Sequence, residues 1–163
     1  MSGALDRAAG GVRRSIRALR SLLVEIYPPN LRTAGLATAL SDLLAPLSSR
    51  GIEAALHLPA ELDLPEEVEA LVFRVAQEAV RNVATHAGAC RVELRVARRQ
   101  GQAVLSVEDD GLGFEPAARS DRPASGHLGL VVLRDLVADA GGNLQVDSAP
   151  RGGTRIRLEV PVP

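Results

Sequence analysis

The chain of 163 residues contains neither lysine nor tryptophan, and aromatic residues make up only 2% of it. Because hydrophobic residues still reach 46%, the core must be built from leucine, valine, isoleucine and alanine. Cys90 is the one cysteine, which excludes an internal disulfide and a metal site built from cysteines. The formal net charge of −1 gives no general electrostatic case for binding nucleic acid.

Long hydrophobic runs are missing as well. No segment is long and apolar enough to span a membrane, and the first residues lack the pattern of a signal peptide. We therefore expect a soluble, cytosolic chain, whose parent protein could carry a membrane anchor. The length suits one domain with an added element, and it suffices to bury a core without disulfides.

Hydrophobic periodicity predicts the secondary structure. Apolar residues at intervals of three and four predict helices over 4–27, 34–49, 65–87 and 127–140. Alternating polarity predicts strands over 52–58, 90–98, 103–107, 143–148 and 154–160. Pro28-Pro29 ends the first helix, and Gln100-Gly101 or Gly101-Gln102 forms a hairpin turn. The layout predicts an α+β fold, a two-layer sandwich with helices on one face of a mainly antiparallel sheet.

The helix over 65–87 carries a row of polar residues. Glu78, Asn82 and His86 follow each other at four-residue intervals, which places them on one stripe of an α-helix, while Arg81 lies off it. A carboxylate, an amide and an imidazole in one row could serve a metal ion, a water molecule and an anionic group. Taken alone, the commoner explanation is an ordinary solvated stripe.

Two glycine motifs follow this helix. Asp109-Asp110-Gly111-Leu112-Gly113-Phe114 comes directly after a strand, where a carboxylate can accept a hydrogen bond from an exocyclic amine and glycines let a flat base approach. An ordinary Asp-Gly turn is the alternative. Gly126-His127-Leu128-Gly129-Leu130 opens a helix, whose N-terminal amides suit phosphate. Between the motifs, residues 115–126 have no periodicity and are expected to form a mobile loop.

The helix and the two motifs resemble, in order and spacing, the nucleotide-binding boxes of the GHKL ATPases, which include gyrase, MutL, the heat-shock ninety chaperones and sensor histidine kinases. The resemblance covers roughly residues 20–163. It is nearest to the catalytic domain of bacterial histidine kinases that pair with LuxR-type regulators, where Gln-Glu-Ala-x-x-Asn-x-x-x-His replaces Asn-x-x-x-Asn. It implies a Bergerat fold, with residues 1–27 as the end of a dimerisation helix and linker, and 28–163 as the ATP-binding domain.

The same resemblance implies ATP and Mg²⁺ as cofactors. Asn82 matches the Mg²⁺ ligand, and Glu78 matches the acid that polarises a nucleophile or orients a metal-bound water. His86 is either a phosphate contact or a cation complementing the end of the helix. Asp109 matches the aspartate that binds the adenine amino group. Thr154 matches the threonine that sits beside that aspartate and the base. The remaining implied nucleotide contacts are Gly111, Gly113, Gly126, Gly129 and Leu130.

The implied activity is that of a histidine kinase, which donates the γ-phosphate of Mg-ATP to a histidine on a separate dimerisation domain. None of His57, His86 and His127 stands in the sequence context of such an acceptor. The implied partners are that domain, a cognate response regulator and a second copy in a homodimer, without nucleic acid. Two alternatives stay open: an anti-sigma-type protein-serine kinase, and a nucleotide-sensing or dimerisation module without transfer.

Overall fold

The computed structural model of the protein describes residues 29–114 and 128–163. The predicted helix over 4–27 and the predicted mobile loop over 115–126 lie outside these residues, as do Gly126 and His127. Among the helices described, none joins enough length to enough hydropathy to be a candidate membrane span.

The described residues form three α-helices and one five-stranded sheet. The helices are α1 (Pro29–Leu44), α2 (Glu66–Asn82) and α3 (Leu128–Asp139). The strands are β1 (Glu53–His57), β2 (Arg91–Arg99), β3 (Gln102–Asp109), β4 (Asn143–Ser148) and β5 (Thr154–Pro161). Their order in the sheet is β1-β2-β3-β5-β4, and only the β1–β2 pair among them is parallel. The predicted α+β layout with a mainly antiparallel sheet is confirmed.

The core lies between the helices and one face of the sheet. Alternate residues of β2, β3 and β5 point inward and are almost fully buried, which is the period-two pattern of a half-buried sheet. They pack on the buried face of α2, whose apolar residues recur at helical intervals. The members of this core with exposures near zero include Leu40, Val72, Val75, Val92, Leu94, Leu105, Val137 and Leu158. The prediction of an aliphatic core is confirmed.

The outer face of the sheet is polar and carries several ion pairs. Arg155 Nη2 lies 2.9 Å from Glu108 Oε2, and His57 Nε2 lies 2.6 Å from Glu93 Oε1. The side chain of His57 is 52% exposed, so His57 is an ordinary surface residue. Exposed pairs of this kind contribute little stability each, so this face is a solvated surface rather than a second core.

Helix α1 differs from the helix predicted over 34–49. It begins at Pro29, which suits the first turn because proline has no amide hydrogen to leave unsatisfied there. Gly35, with φ 79° and ψ 169°, interrupts it, so the predicted start at residue 34 reflects a break inside a longer helix. A 3-10 helix over Ala45–Arg50 follows, with Pro46 in its first turn, and Gly51 ends it in the left-handed conformation.

The first hairpin settles one open alternative and corrects one expectation. Gln100 and Gly101 form the two-residue loop, both with positive φ, as a turn matched to the strand twist requires. The predicted strand over 90–98 begins at Cys90, and its alternation would place Cys90 on the inward face with Val92. It is exposed instead, and it precedes β2, because its amide is held by the Asp110 carboxylate and its carbonyl accepts from the amide of Glu53.

Candidate functional site

Two residues of the predicted polar stripe lie on successive turns of α2. Glu78 and Asn82 are both partly buried, and the Glu78 side chain is only 12% exposed. Arg81, which was expected to lie off the stripe, places its Nη2 atom 3.0 Å from Glu78 Oε1. The three-residue spacing of this pair was the sequence signal that could have predicted it.

The α-helix ends at Asn82, and residues Val83–Ala87 form a π-helical turn that carries His86. A four-residue step comes close to one full turn in a π-helix as it does in an α-helix, so the position of His86 in the row stays a prediction. His86 is exposed, whereas Glu78 and Asn82 are partly buried.

Two hydrogen bonds from outside the helix and one within it hold this π-helical turn. Arg50 Nη1 donates to the carbonyl of Ala84 over 2.9 Å, and the amide of Leu112 donates to the carbonyl of Ala87 over 2.7 Å. Thr85 Oγ1 donates to the carbonyl of Arg81 over 2.7 Å. Carbonyls at a helix end need such partners, and here two distant loops supply them. The end of α2 is thereby tied to the first glycine motif.

Three polar residues form a row across neighbouring strands at one end of the sheet. Asp109 on β3 pairs with Thr154 on β5, and Thr154 pairs with Ser148 on β4. All three are partly buried, and they continue the inward-facing sets of their strands. They line a cavity of about 320 Å³ at the strand ends, and Glu108, Asp147 and Arg155 of the outer face line it as well. The structure thus brings Asp109 and Thr154 together, as the sequence analysis expected.

The two consecutive aspartates have opposite environments. Burial raises the pKa of the Asp109 carboxyl, against the hydrogen bonds from the amides of Gly111 and Thr154. The amide hydrogen bond of Arg91, followed by that of Cys90, lowers the pKa of Asp110, whose Oδ1 atom accepts from both at 2.8 and 2.9 Å. Asp110 therefore joins the start of β2 to the end of β3, and Asp109 is left to face the cavity.

Close contacts with neighbouring backbone require glycine at two positions of the first motif. A Cβ atom added at Gly111 would overlap the carbonyl oxygen of Ala87, and one at Gly113 would overlap that of Ala149. Gly113 also has a φ of 60°, in the left-handed region. The protein's own backbone occupies the space on the side of each glycine where a Cβ atom would stand, so neither position could carry a side chain. Their contact with nucleotide stays a prediction.

The second glycine motif meets α2 across a cleft. Gly129 lies against Glu78, and a Cβ atom added there would overlap the Glu78 carboxylate. Between α2 and α3 the cleft measures about 250 Å³, and Arg74 and Leu133 also line it. Leu130, a predicted nucleotide contact, is 5% exposed and belongs to the core, so only its backbone could face a ligand.

Ser148 is a residue of the site that the sequence analysis missed. Its Oγ atom lies 2.9 Å from the amide of Phe114, 2.9 Å from the carbonyl of Gly153 and 3.0 Å from Thr154 Oγ1. It therefore joins the first glycine motif to the β4–β5 connection. No local pattern marks a serine at a strand end, because its partners are distant in sequence.

The chemistry available at the site follows from these groups. Asp109 can accept a hydrogen bond from an amine, and the Asn82 amide oxygen suits a hard cation. Within residues 29–114 and 128–163, no group of three or more His, Cys, Asp or Glu side chains is placed to hold a metal ion. A cation here would therefore take further ligands from a bound anion or from water.

Comparison with known proteins gives a family match. Residues 67–163 match the model of the histidine kinase-, DNA gyrase B- and HSP90-like ATPases. Sensor histidine kinase NarS from Mycobacterium tuberculosis is 32% identical over 160 residues, which are 97% of this chain and 37% of NarS. Sensor protein VraS from Staphylococcus haemolyticus is 26% identical over 93% of this chain and 42% of VraS. The chain thus spans less than half the length of these relatives.

Solved structures agree with the fold. The histidine kinase domain of the blue-light activated kinase EL346 from Erythrobacter litoralis aligns with a TM-score of 0.64 and 27% identity, over 79% of this chain and 60% of that domain. Full-length ShkA, solved in complex with AMPPNP, aligns with a TM-score of 0.65 and 25% identity, over 78% of this chain and 29% of ShkA.

Proposed function

Since the match covers more than half of it, the chain belongs to the histidine kinase-, DNA gyrase B- and HSP90-like ATPase family, and from this premise we propose a specific role. The chain is homologous to the catalytic domains of sensor histidine kinases. Its proposed role is to bind Mg-ATP and donate the γ-phosphate to a histidine on a separate dimerisation domain. Residues 1–27 would be the end of that dimerisation region with its linker, and residues 28–163 the catalytic domain.

The observation that carries this proposal is the inward-facing pair Asp109 and Thr154 beside α2. A partly buried carboxylate at a strand end, with a hydroxyl on the next strand, suits an exocyclic amine better than it suits a metal ion. The amides of Gly111 and Thr154 offset part of the cost of burying this carboxylate, and a ligand amine would offset it further. Adenine supplies such an amine.

Mg²⁺ fits the residues that surround the proposed phosphate site. Asn82 offers one neutral oxygen and Glu78 lies a turn away, a donor set suited to a cation that keeps waters and takes other ligands from phosphates. When bound, the ion would neutralise charge on the phosphates. Asn82 would hold it, and Glu78 would orient a metal-bound water or polarise the acceptor nitrogen.

The start of α3 is the proposed phosphate contact. Gly129 and the backbone of Leu130 lie in the first turn of this helix, and Gly129 faces Glu78. Amides in the first turn of a helix favour anions. The family resemblance alone supports a nucleotide contact for three further glycines, Gly126, Gly111 and Gly113.

His86 lies in the π-helical turn that follows α2. Its exposed position in the π-helical turn leaves phosphate contact as a proposal without a structural argument for it.

The proposed partners follow the histidine kinase assignment. A dimerisation and phosphoacceptor domain, a response regulator of the LuxR type and a second copy of the parent protein would complete the system. The subfamily rests on the order Gln77-Glu78-Ala79 before Asn82 and His86. An anti-sigma-type serine kinase is not favoured, because NarS is named a sensor histidine kinase and VraS a sensor protein.

Labelled ATP tests the proposal. The chain alone is expected to bind ATP but to take up no label, because transfer requires an acceptor placed in line with the γ-phosphate. Adding the dimerisation domain of the parent protein should produce acid-labile, base-stable label on that domain. Label of that kind on the chain alone, or no label with the added domain, would contradict the proposed division of labour.

A further inference from the structure

Ser148 lies where three parts of the site meet. It is the last residue of β4, is partly buried, and pairs in register with Thr154 on β5. Its hydroxyl is within hydrogen-bond distance of the Phe114 amide, the Gly153 carbonyl and the Thr154 hydroxyl. The geometry alone leaves open which of the two hydroxyl groups donates to the other.

The chemistry of the other two partners decides this. A serine hydroxyl has one proton to donate and two lone pairs that accept. The amide of Phe114 can only donate, so Ser148 accepts from it. The carbonyl of Gly153 can only accept, so Ser148 gives its single proton there. One lone pair of Ser148 remains for Thr154, and Thr154 must therefore be the donor of the bond between the two hydroxyls.

This assignment makes the Thr154 hydroxyl a hydrogen-bond acceptor on the side that faces the cavity. With its proton committed to Ser148, the Thr154 oxygen has only lone pairs left for a ligand. Asp109, which faces Thr154 across the β3–β5 pair and lines the same cavity, also only accepts when it is ionised. Two neighbouring groups that accept and do not donate favour an exocyclic amine, because this single group offers two N–H hydrogens.

We propose that Ser148 is a positioning residue that sets base specificity by holding the Thr154 hydroxyl as an acceptor. With this orientation, the Asp109–Thr154 pair accepts a purine with an amino group at C6 and disfavours one with a carbonyl there. The inference rests on the proposed nucleotide-binding function, and it assigns Ser148 no contact with the base itself. A site that leaves a ligand carbonyl facing two acceptors rejects it strongly.

A purely structural role is the competing explanation for Ser148. Its hydroxyl also binds Phe114, next to Gly113, so its loss could loosen the first glycine motif as a whole. A loosened motif would weaken the binding of every purine nucleotide by a similar factor. The specificity role instead predicts a change in the ratio of two affinities, and only when Thr154 has its hydroxyl.

The experiment compares Mg-ATP with Mg-ITP, which carries a carbonyl at C6 and a proton on N1. Calorimetric titration is carried out on the whole 163-residue chain and its variants. In Ser148→Ala, the freed Thr154 hydroxyl can turn and donate to the ITP carbonyl, so the preference for ATP over ITP should fall about five- to tenfold, the effect of one mismatched hydrogen bond. Ser148→Thr keeps the hydroxyl and should keep the preference.

A double variant separates the two explanations. In the Thr154→Val background, Ser148→Ala should leave the ratio of ATP to ITP affinity unchanged, because the group through which Ser148 acts is gone. Should Ser148→Ala not fold, Ser148→Cys has a similar volume and a weak hydrogen-bonding thiol, and it carries the same expectation.

Two results would overturn the inference while the proposed function stands. One is an equal loss of affinity for ATP and ITP in Ser148→Ala, with the ratio unchanged. The other is the same change of ratio with and without the Thr154 hydroxyl. A wild-type chain that binds neither nucleotide would instead overturn the proposed function and, with it, this inference.

Discussion

Gly129, near the start of α3, lies so close to Glu78 on α2 that a Cβ atom added to the glycine would overlap the carboxylate. Gly129 has no positive φ, so glycine is needed here for space and not for backbone conformation. Glu78 is further held by Arg81 at 3.0 Å. The start of α3 and the polar face of α2 are thus in direct contact at the proposed phosphate site.

Gly129→Ala should therefore push the start of α3 away from Glu78. We expect phosphoryl transfer to the acceptor domain to fall at least tenfold, since positioning supplies most of the rate in such reactions. Measurement of transfer from labelled ATP checks this. The matched control is Val131→Ala on the same helix, which removes a side chain that is 52% exposed and should leave the rate near wild type. Equal rates for both variants would contradict the idea that this contact matters.

Asp109→Asn should weaken the affinity for ATP by about 1–3 kcal/mol, because the amide replaces a charged acceptor opposite the proposed amine. Isothermal calorimetry measures this directly. The neighbouring variant Asp110→Asn is the control, since Asp110 binds the amides of Cys90 and Arg91 instead of facing the cavity. If the two variants lose the same affinity, Asp109 has no special place in the base site.

Asn82→Ala should remove most of the Mg²⁺ dependence of ATP binding and leave the fold intact. Asn82 is partly buried at the last residue of α2, and its amide is the proposed metal ligand. Titrations of ATP with and without Mg²⁺ give the dependence, and thermal unfolding reports the fold. Glu67→Gln, an exposed change in the first turn of the same helix, is the control. An unfolded Asn82→Ala variant would mean that the residue is structural.

Asp109 should also make the stability of the unliganded chain depend on pH. Burial raises its pKa in the folded state, so the folded protein binds the proton more tightly than the unfolded chain does. The free energy of unfolding should therefore decrease as pH rises from the ordinary aspartate pKa through the raised one. Asp109→Asn removes this effect, so the variant should gain thermal stability relative to wild type over that interval and keep the gain at neutral pH.

Thermal unfolding of the two chains between about pH 3 and pH 7, without nucleotide, tests this effect, because the interval brackets the usual aspartate range. A difference in midpoint that does not change with pH would show that Asp109 has the same pKa in both states. A variant that loses stability at neutral pH would mean that the hydrogen bond from Gly111 outweighs the cost of burial.

The sequence by itself determined the classes and order of the main elements. Periods of two and of three to four are set by local backbone geometry, so inward residues such as Val75 and Leu94 could be predicted without the fold. The end of β3 at an aspartate could also be predicted from local sequence. The same holds for the helix that begins at the Gly126-x-x-Gly129 motif. The placement of Glu78 and Asn82 in one row could be predicted because both lie inside one regular helix.

Only the tertiary structure decided what depends on partners distant in the chain. The π-helical turn that carries His86 is held by Arg50 and by the loop at Leu112, neither of which is near it in sequence. The same is true of Ser148, which meets Phe114 because strand pairing brings them together. Hydrogen bonds formed across the sheet have no sequence period, so residue type and spacing could not reveal them.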